Sequence, residues 1–191
     1  MCGIIGFNYE DKNFLKRALK EIKHRGPDYS GEFYDKGISL GHNRLSIIDL
    51  SKSGNQPMSN EEQTIWIVFN GEIYNFKELR ENLQKNHDFK SDSDTEVLLH
   101  LYEEQGFEML DKVQGMFAFC IYDSKKNILF LARDRIGIKP LYYYNFNKQF
   151  IFCSEIKGIL QNSELQRKVN LNVLSSFLAF RANIEEETFF K

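Results

Sequence analysis

The second half of the chain carries two successive strand–turn–strand patterns, and they limit the choice of fold more than any other feature. In the first, MFAFCIYD and ILFLARD flank the polar segment Ser-Lys-Lys-Asn; in the second, LYYYNF and FIFCSE flank Asn-Lys-Gln. Aromatic and β-branched runs separated by a short polar turn are typical of β-hairpins. The strands of this region are therefore predicted to pair antiparallel.

Helices and further strands are predicted before and after these hairpins. Asn75 followed by Glu78, and Ser93 followed by Glu96, both match the capping-box pattern at the start of a helix. Hairpin strands with helices gathered between them indicate an α+β fold in layers, with antiparallel sheets. The other predicted strands lie at residues 2–9, 30–35, 37–49 and 64–70, and the other predicted helices at 13–23, 155–161 and 171–180.

Composition excludes several classes of protein. The formal net charge of -2 argues against a nucleic acid or an anionic membrane as partner, and no stretch is apolar for long enough to span a bilayer. The three cysteines are too few for a disulfide framework, and the four histidines show no metal-ligand spacing, so no metal site is predicted. Because the N-terminus lacks a secretory signal, the cytoplasm is the predicted location.

Cys2 offers unusual chemistry if Met1 is removed. The residue would then carry a thiol with a reference pKa near 8.5 and an α-amine with one near 7.7–8.0, so the amine can accept the thiol proton. Nucleophile and base would belong to the same residue. Taken alone, a cysteine at this position is more often simply the first apolar residue of a strand.

Other side chains could complete a site around such a nucleophile. Asn70 and Gly71 follow a strongly apolar strand and could offer a side-chain amide and a backbone N–H to an oxyanion. Asn-Gly is also common in turns. Arg44 lies between apolar residues and could bind a substrate carboxylate or an internal acid. Asp94 and Glu72 could bind a substrate ammonium, although the helix dipole alone favours an acid at position 94.

Several segments together resemble the class II glutamine amidotransferases, which are N-terminal-nucleophile hydrolases. The most similar type is the glutaminase domain of glutamine-hydrolysing asparagine synthetase. The family fold implied by this resemblance is an αββα sandwich, in which two antiparallel sheets lie between helical layers. The resemblance rests on MCGIIGF, HRGPD (24–28), GHNRLSIIDLS (41–51), NQP (55–57), FNGEIYN (69–75), SDTEVLLHLYEEQG (93–106), QGMFAFCIYD (114–123), RDRIGIKPLYY (133–143) and SEIKGIL (154–160).

The resemblance implies a catalytic role for three residues. Cys2 matches the nucleophile, with its own amine as base, and Asn70 and Gly71 match the oxyanion hole. The implied reaction converts L-glutamine to glutamate and ammonia through a γ-glutamyl thioester on Cys2. No cofactor is expected for this reaction, and no role is assigned to the HRGPD segment at 24–28.

Three further residues match substrate-binding positions of the family. Arg44 matches the residue that binds the α-carboxylate of glutamine, and Glu72 and Asp94 match those that bind its α-ammonium. The sequence departs from the family pattern at Asn43, where an arginine is frequent. It also has Cys153 and Gly158 at positions that are more often alanine, which suggests small packing changes.

The implied domain organisation is a glutaminase domain over residues 1–165, with 166–191 as the start of a linker. The resemblance implies a longer protein, in which a covalently linked synthetase domain uses ATP and Mg²⁺ to capture the ammonia. That domain carries a Ser-Gly-Gly-x-Asp-Ser loop, which does not occur in these 191 residues. We therefore expect glutamate and ammonia as products of this chain, and leave assembly into a homodimer open.

Three alternatives remain at this stage. Glucosamine-6-phosphate synthase and amidophosphoribosyltransferase have related glutaminase domains, but their segments corresponding to NGEIYN (70–75) differ. An asparagine-synthetase-like enzyme with another ammonia acceptor is a second alternative. A non-catalytic glutamine-binding module is the third, and Cys2 argues against it because binding alone needs no thiol.

Overall fold

A computed structural model describes residues 1–181 and 187–191 of the chain. The chain forms two compact units, Met1–Gln161 and Asn162–Lys191. The predicted division between residues 165 and 166, into a glutaminase domain and the start of a linker, stays a prediction.

The larger unit contains nine strands and four α-helices among its residues, all of which are described. Every predicted strand and helix of this unit is present, with shifts at several ends. The strands are β1 (Gly3–Phe7), β2 (Tyr29–Asp35), β3 (Ile38–Arg44), β4 (Met58–Ser59), β5 (Ile65–Ile73), β6 (Gly115–Asp123), β7 (Ile128–Arg133), β8 (Tyr142–Phe146) and β9 (Gln149–Cys153). The helices are α1 (Lys12–Glu21), α2 (Phe76–Leu83), α3 (Asp94–Gln105) and α4 (Ile156–Ile159).

The strands form two antiparallel sheets, which confirms the predicted α+β class. The first has the order β2-β3-β1-β9-β8 and the second the order β4-β5-β6-β7. Both predicted hairpins are present, as the pairs β6–β7 and β8–β9. Helices α1 and α4 pack on the first sheet, α3 packs on the second, and β1 and β3 face β5 across the interior. This is the αββα arrangement that the resemblance implied.

Alternation along the strands explains the layers. In β1, the side chain of Ile4 belongs to a cluster between the sheets, whereas Ile5 contacts the α1 side of the sheet near Gly41. Successive side chains of a strand point to opposite faces, so an uninterrupted apolar strand supplies two cores at once. The inter-sheet cluster consists of Ile4, Ile38, Leu40, Val68, Ala118, Cys120, Tyr122 and Phe152.

Two element ends differ from the prediction and affect the site. β5 does not stop before Gly71 but continues to Ile73, because residues 70–73 pair with β6. β3 ends at Arg44 instead of continuing to residue 49. The chain after Arg44 leaves the sheet because two of its backbone oxygens, at Asp49 and Ser51, bond to the Arg44 guanidinium.

The two predicted capping boxes are only partly formed. Ser93 caps α3 as expected, since its hydroxyl accepts a hydrogen bond from the N–H of Thr95 at 3.1 Å. The Glu96 carboxylate accepts bonds from residues 90 and 91 instead of Ser93. Asn75 precedes α2 but makes no capping bond, because its side chain bonds to Lys112 and Gln114.

The smaller unit contains helix α5 (Asn172–Phe180), which was predicted at 171–180. An isolated antiparallel bridge joins Val169 to Phe190, and the rings of Phe177 and Phe189 meet edge-on at 4.9 Å. No helix of the described residues in either unit is long and apolar enough to cross a membrane.

Candidate active site

A pocket in the larger unit is lined by every residue that the sequence predicted for the site. The ends of β1, β3 and β5 and the first turn of α3 meet at this pocket, and the loop after β3 forms one wall. The predicted residues that line it are Cys2, Arg44, Asn70, Gly71, Glu72 and Asp94.

Cys2 lies directly before β1 and is partly buried. Its Sγ accepts a hydrogen bond from the Leu45 N–H at 3.4 Å. Burial raises the pKa of the Cys2 thiol, and Asp94 raises it further. The Leu45 N–H, the ammonium of Met1 and Arg44 oppose this rise. The thiol is therefore protonated at neutral pH and needs a base to become a nucleophile.

The HRGPD segment, to which no role was assigned, holds Cys2 in place. Arg25 donates from Nε to the Cys2 carbonyl at 2.9 Å and from Nη1 to Glu155 at 3.0 Å. Gly26 packs so closely against the backbone of Asn43 and Arg44 that an added Cβ would overlap it. The segment therefore joins the first residue of the site to the end of β3.

Asn70 supplies an unused hydrogen-bond donor to the pocket. The residue is 1% exposed, and its Nδ2 has no hydrogen-bond partner within the described residues. Leaving a buried amide unsatisfied costs roughly 1–3 kcal/mol. Such a donor is expected where a ligand supplies the missing acceptor.

The backbone N–H of Gly71 points to the same side of β5 as two N–H groups whose partners are known. Phe69 donates to the Gln56 side chain at 2.6 Å, and Ile73 donates to Asp94 Oδ2 at 3.0 Å. Every second N–H of a strand points the same way, so the Gly71 N–H lies between them and faces away from β6. Strand β4 pairs only with Trp66 and Ile67, which leaves this edge open to the pocket.

Gly71 is also a site of close approach between backbones. A Cβ added there would lie within 2.4 Å of the Met116 carbonyl oxygen. A side chain at this position would push β5 away from β6 and displace the neighbouring Asn70 amide. The strand pairing therefore requires glycine at this position.

Arg44 is held by loop oxygens and not by an internal acid. Its Nη1 donates to the Ser51 carbonyl at 2.6 Å and to Asn55 Oδ1 at 2.8 Å, and its Nη2 donates to the Asp49 carbonyl. The guanidinium is only 7% exposed and has no carboxylate hydrogen-bonded to it in the described part of the chain. Since a guanidinium has five N–H donors, two remain for a ligand in the pocket.

Asp94 brings a buried carboxylate to the opposite side of the pocket. It is 4% exposed, and burial raises its pKa to about 6, although the N–H groups of Ile73 and Thr95 favour the ionised form. The charge of exposed Glu72 also raises this pKa. A cationic group bound here would offset both the burial of the Asp94 charge and its repulsion by Glu72.

Comparison with known proteins identifies the family. The family model described as a glutamine amidotransferase domain matches residues 1–191. The chain belongs to the glutamine amidotransferases. It is a class II glutamine amidotransferase domain, homologous to the N-terminal domain of glutamine-hydrolysing asparagine synthetases.

Curated relatives are considerably longer than this amidotransferase domain. The putative asparagine synthetase [glutamine-hydrolyzing] 2 of Methanocaldococcus jannaschii is 44% identical, over 90% of this chain and 37% of that protein. Asparagine synthetase [glutamine-hydrolyzing] 1 of Bacillus subtilis is 42% identical, over 98% of this chain and 31% of that protein. The chain thus spans about a third of the length of these relatives.

A solved structure confirms the fold of the amidotransferase domain. The glutamine phosphoribosylpyrophosphate amidotransferase of B. subtilis superposes with a TM-score of 0.73, covering 88% of this chain and 45% of that one. Because the two sequences are 20% identical, the likeness concerns the fold.

The pocket of the amidotransferase domain also contains residues that the sequence interpretation missed. Gln56 bridges Phe69 and Thr95, and Lys139 is 6% exposed with its Nζ 3.4 Å from Met1 Sδ. The NQP and IGIKP segments that contain them were noted, but their distance along the chain from Cys2 concealed the contacts.

A buried histidine supports the pocket from behind. His42 is fully buried, and its Nε2 lies 3.1 Å from the Phe69 carbonyl oxygen. Burial, followed by the charge of Arg44, lowers the pKa of His42 to about 3. The imidazole therefore stays neutral, and it links β3 to β5 without adding a charge beside Arg44.

The family departure at Asn43 has a structural explanation in this domain. Asn43 is completely buried; its Nδ2 donates to the Leu19 carbonyl at 2.7 Å, and its Oδ1 accepts from the Ser30 hydroxyl. The residue joins α1, β2 and β3 behind the pocket. It therefore supports the position of Arg44 without facing the ligand.

Proposed function

We propose that this chain hydrolyses L-glutamine to glutamate and ammonia, with Cys2 as nucleophile after removal of Met1. The observation that carries the proposal is the unsatisfied Asn70 amide beside the Gly71 N–H, in the pocket that Cys2 lines. Two converging donors are the arrangement that a tetrahedral oxyanion requires. A binding module for the uncharged amide would have no need of the adjacent thiol.

The chemical steps follow from the groups in the pocket. The α-amine of Cys2 accepts the thiol proton, and the thiolate attacks the amide carbon of glutamine. The former carbonyl oxygen takes the negative charge and accepts hydrogen bonds from Asn70 Nδ2 and the Gly71 N–H. The ammonium of Cys2 returns its proton to the leaving nitrogen, ammonia departs, and a γ-glutamyl thioester remains.

The second half of the reaction uses the same groups. The amine of Cys2 deprotonates a water molecule, which attacks the thioester and forms a second oxyanion at the same two donors. Collapse of this intermediate releases glutamate and restores the thiol. No step needs a metal or an organic cofactor, because the charge that develops is held by hydrogen bonds of the chain itself.

The two ends of the glutamine backbone match the charges of the pocket. The two unused N–H donors of Arg44 bind the α-carboxylate, and Asp94 with Glu72 binds the α-ammonium. Arg44 and Asp94 are both less than a tenth exposed, so each charge acts in surroundings that screen it weakly. This pairing selects an α-amino acid over a simple amide.

We further propose that the ammonia serves ATP-dependent asparagine synthesis by a synthetase domain of a longer protein. The relatives from M. jannaschii and B. subtilis, both named as glutamine-hydrolysing asparagine synthetases, support this acceptor. The three cysteines are free thiols, which suits the reducing cytoplasm as location. Asparagine formation by the longer protein tests the acceptor, and fractionation of cells tests the location.

The experiment that tests the glutaminase proposal compares two forms of the purified chain. One form has lost Met1, as verified by intact mass, and the other keeps an uncleaved residue before Cys2. Glutamate release by the first form alone, together with a mass increase of one γ-glutamyl group on quenched enzyme, is the expected result. Equal rates in both forms would show that the α-amine is not the base.

Two variants serve as controls for this comparison. Cys2→Ala should lose turnover but still bind glutamine, measured by calorimetry. Cys120→Ala changes a fully buried thiol that does not line the pocket and should keep both turnover and binding. Glutamine hydrolysis by the Cys2→Ala protein at the wild-type rate would refute the mechanism.

A further inference from the structure

A cluster of two histidines and two glutamates lies outside the active-site pocket. Its potential ligand atoms lie within 4.8 Å of one another. The cluster joins three separate parts of the larger unit: the turn between β4 and β5, the loop after α2, and α3 itself. Its members are Glu61, His87, His100 and Glu103. The spacing of the histidines in the sequence did not predict this arrangement.

The two imidazoles present the same nitrogen to one carboxylate oxygen. His100 Nδ1 lies 2.7 Å and His87 Nδ1 lies 3.7 Å from Glu103 Oε2. The two rings are stacked, with centroids 4.3 Å apart. A cation placed between these three atoms would be shared by two nitrogen ligands and one oxygen ligand.

The remaining nitrogens face other carboxylates, as in many metal-binding histidines. His87 Nε2 lies 3.4 Å from Glu104 Oε1, and His100 Nε2 lies 3.9 Å from Glu96 Oε1. Metal-ligating histidines commonly direct their second N–H to a carboxylate, which fixes the tautomer and leaves the first nitrogen for the metal. Both Nε2 atoms face a carboxylate in this way, although His100 Nε2 is too far from Glu96 to form a hydrogen bond.

His100 is not satisfied by the protein alone. It is 1% exposed, and its Nε2 has no hydrogen-bond partner within the described residues. If Nδ1 donates to Glu103, Nε2 is a buried acceptor without a donor. If Nε2 carries the hydrogen toward Glu96, the Nδ1 lone pair faces the Glu103 carboxylate. A cation at Nδ1, either a second proton on the ring or a metal ion, removes this conflict, and the metal-binding test below distinguishes the two.

The Glu103 carboxylate is fixed from behind. Its Oε1 accepts a hydrogen bond from Asn60 Nδ2 at 2.7 Å. The Asn60 amide is itself oriented, because its Oδ1 accepts the N–H groups of Thr64 and Ile65. Supporting hydrogen bonds of this kind orient the carboxylates of metal sites.

From this geometry we infer a binding site for a divalent transition-metal ion of the Zn²⁺ class at Glu61, His87, His100 and Glu103. Two imidazoles and two carboxylates suit such an ion better than Ca²⁺ or Mg²⁺, which prefer oxygen ligands alone. Ligand distances of about 2.0–2.2 Å place the donor atoms of a tetrahedral site about 3.3–3.6 Å apart. The potential ligand atoms lie within 4.8 Å of one another, so the side chains, exposed Glu61 among them, would move inward to reach this spacing.

The inferred site is structural, since it lies away from the proposed chemistry. Asp94 begins α3 at the pocket, and Glu103 lies on the same helix roughly 13 Å further along its axis, at 1.5 Å per residue. A bound ion would fasten the β4–β5 turn and the loop after α2 to α3. We therefore expect it to change the stability of the domain and not the chemical step.

The test measures binding of Zn²⁺ alone to the purified chain in a Cys2→Ala background. That substitution removes the partly exposed thiol, whereas Cys120 and Cys153 are completely buried. Competition with a chromophoric chelator should reveal one equivalent of bound Zn²⁺. Thermal unfolding with and without Zn²⁺ should show a raised Tm in its presence. Co²⁺ in its place should give visible d–d absorption without a sulfur-to-metal charge-transfer band.

Three variants make this test specific. His87→Gln and Glu103→Gln should each weaken Zn²⁺ binding at least tenfold, whereas Glu62→Gln, an exposed residue paired with Lys125, should leave it unchanged. Circular dichroism without metal verifies that each variant folds. If Glu103→Gln does not fold, the variant His87→Gln decides the test, because His87 is only partly buried. Absence of bound Zn²⁺, equal affinity in the wild type and His87→Gln, or a thiolate charge-transfer band would overturn the inference.

Discussion

Asp94 is a residue whose environment favours the neutral acid unless a cation binds beside it. Burial raises its pKa from an ordinary value of 3.8 to about 6. The folded protein therefore binds the Asp94 proton more tightly than the unfolded chain does. The free energy of unfolding gained in this way is fully present below about pH 4. It is lost as pH rises through about 6. The difference of about two pKa units corresponds to roughly 2–3 kcal/mol.

Asp94→Asn should accordingly stabilise the ligand-free protein at pH 7 and abolish glutamine binding. The amide oxygen can still accept the Ile73 N–H, so this hydrogen bond is kept while the buried charge is lost. Urea denaturation of both proteins at pH 4 and pH 7 measures the free energy of unfolding. The variant should exceed the wild type at pH 7 and not at pH 4. A variant that is less stable than the wild type at pH 7 would contradict the argument.

The same group predicts an acid limb of the wild-type pH profile. Protonation of the Cys2 α-amine, the proposed base, lowers kcat/KM below about pH 8. Protonation of Asp94 should add a second acid limb below about pH 6, because protonated Asp94 cannot pair with the α-ammonium of glutamine. Glutamate release at subsaturating glutamine measures this limb. A limb at about pH 4, where an unperturbed carboxyl titrates, would show that Asp94 is not the group concerned.

Asn70 should affect the chemical step more than binding. Asn70→Ala removes one oxyanion donor and should lower kcat by roughly 10²–10³-fold, with little change in KM. Because the Nδ2 of Asn70 bonds to nothing within the described residues, no structural hydrogen bond of that atom is lost. An increase in KM with unchanged kcat would instead assign Asn70 to ground-state binding.

At the level of elements, β9 and α4 fit each other through a matched pair of residues. A Cβ on Gly158 would lie 2.5 Å from the Cys153 Sγ, so the larger residue on the strand requires the smaller one on the helix. At both positions the resemblance described above leads to the expectation of alanine. The two differences compensate each other in volume, which their separation in the sequence did not indicate.

This compensation predicts a non-additive double-mutant cycle. Gly158→Ala alone should destabilise the protein by about 1–3 kcal/mol through overpacking. In a Cys153→Ala background, Gly158→Ala should instead be neutral or stabilising, since the methyl fills the space of the thiol and alanine favours the helix. Equal effects in both backgrounds, measured by chemical denaturation, would show that the two residues do not interact.

The open edge of β5 is the other element on which the site depends. Strand β4 contributes only Met58 and Ser59, so the backbone beyond Ile67 has no strand partner on that side within the described residues. The groups of this edge bond instead to side chains at 56 and 94 and face the pocket at Gly71. A longer β4 would pair with the Gly71 N–H and close the oxyanion site.

At the scale of the whole molecule, the chain should make glutamate without making asparagine. It contains no Ser-Gly-Gly-x-Asp-Ser loop for pyrophosphate, and it spans about a third of the relatives named as asparagine synthetases. With glutamine, ATP, Mg²⁺ and aspartate present, amino-acid analysis should detect glutamate and ammonia but no asparagine. Formation of asparagine by these 191 residues would refute the proposed division of labour.

Local pattern was sufficient for much of this protein. Hairpin turns and apolar runs act over a few residues, so β6–β7, β8–β9 and α3 were predicted from the sequence close to their observed ends. Six of the residues that line the pocket were predicted from the sequence, with roles implied by the resemblance to a known family, and the structure brings these six to one pocket. Their individual roles stay predictions.

Only the tertiary structure decided which groups are satisfied and which are not. The orphaned Asn70 amide, the loop oxygens around Arg44 and the raised pKa of Asp94 all depend on neighbours far away in the sequence. The continuation of β5 through Gly71 depends on pairing with β6. Hydrogen bonding and desolvation are determined by the neighbours that folding brings together, whereas the spacing of residues along a chain determines only local structure.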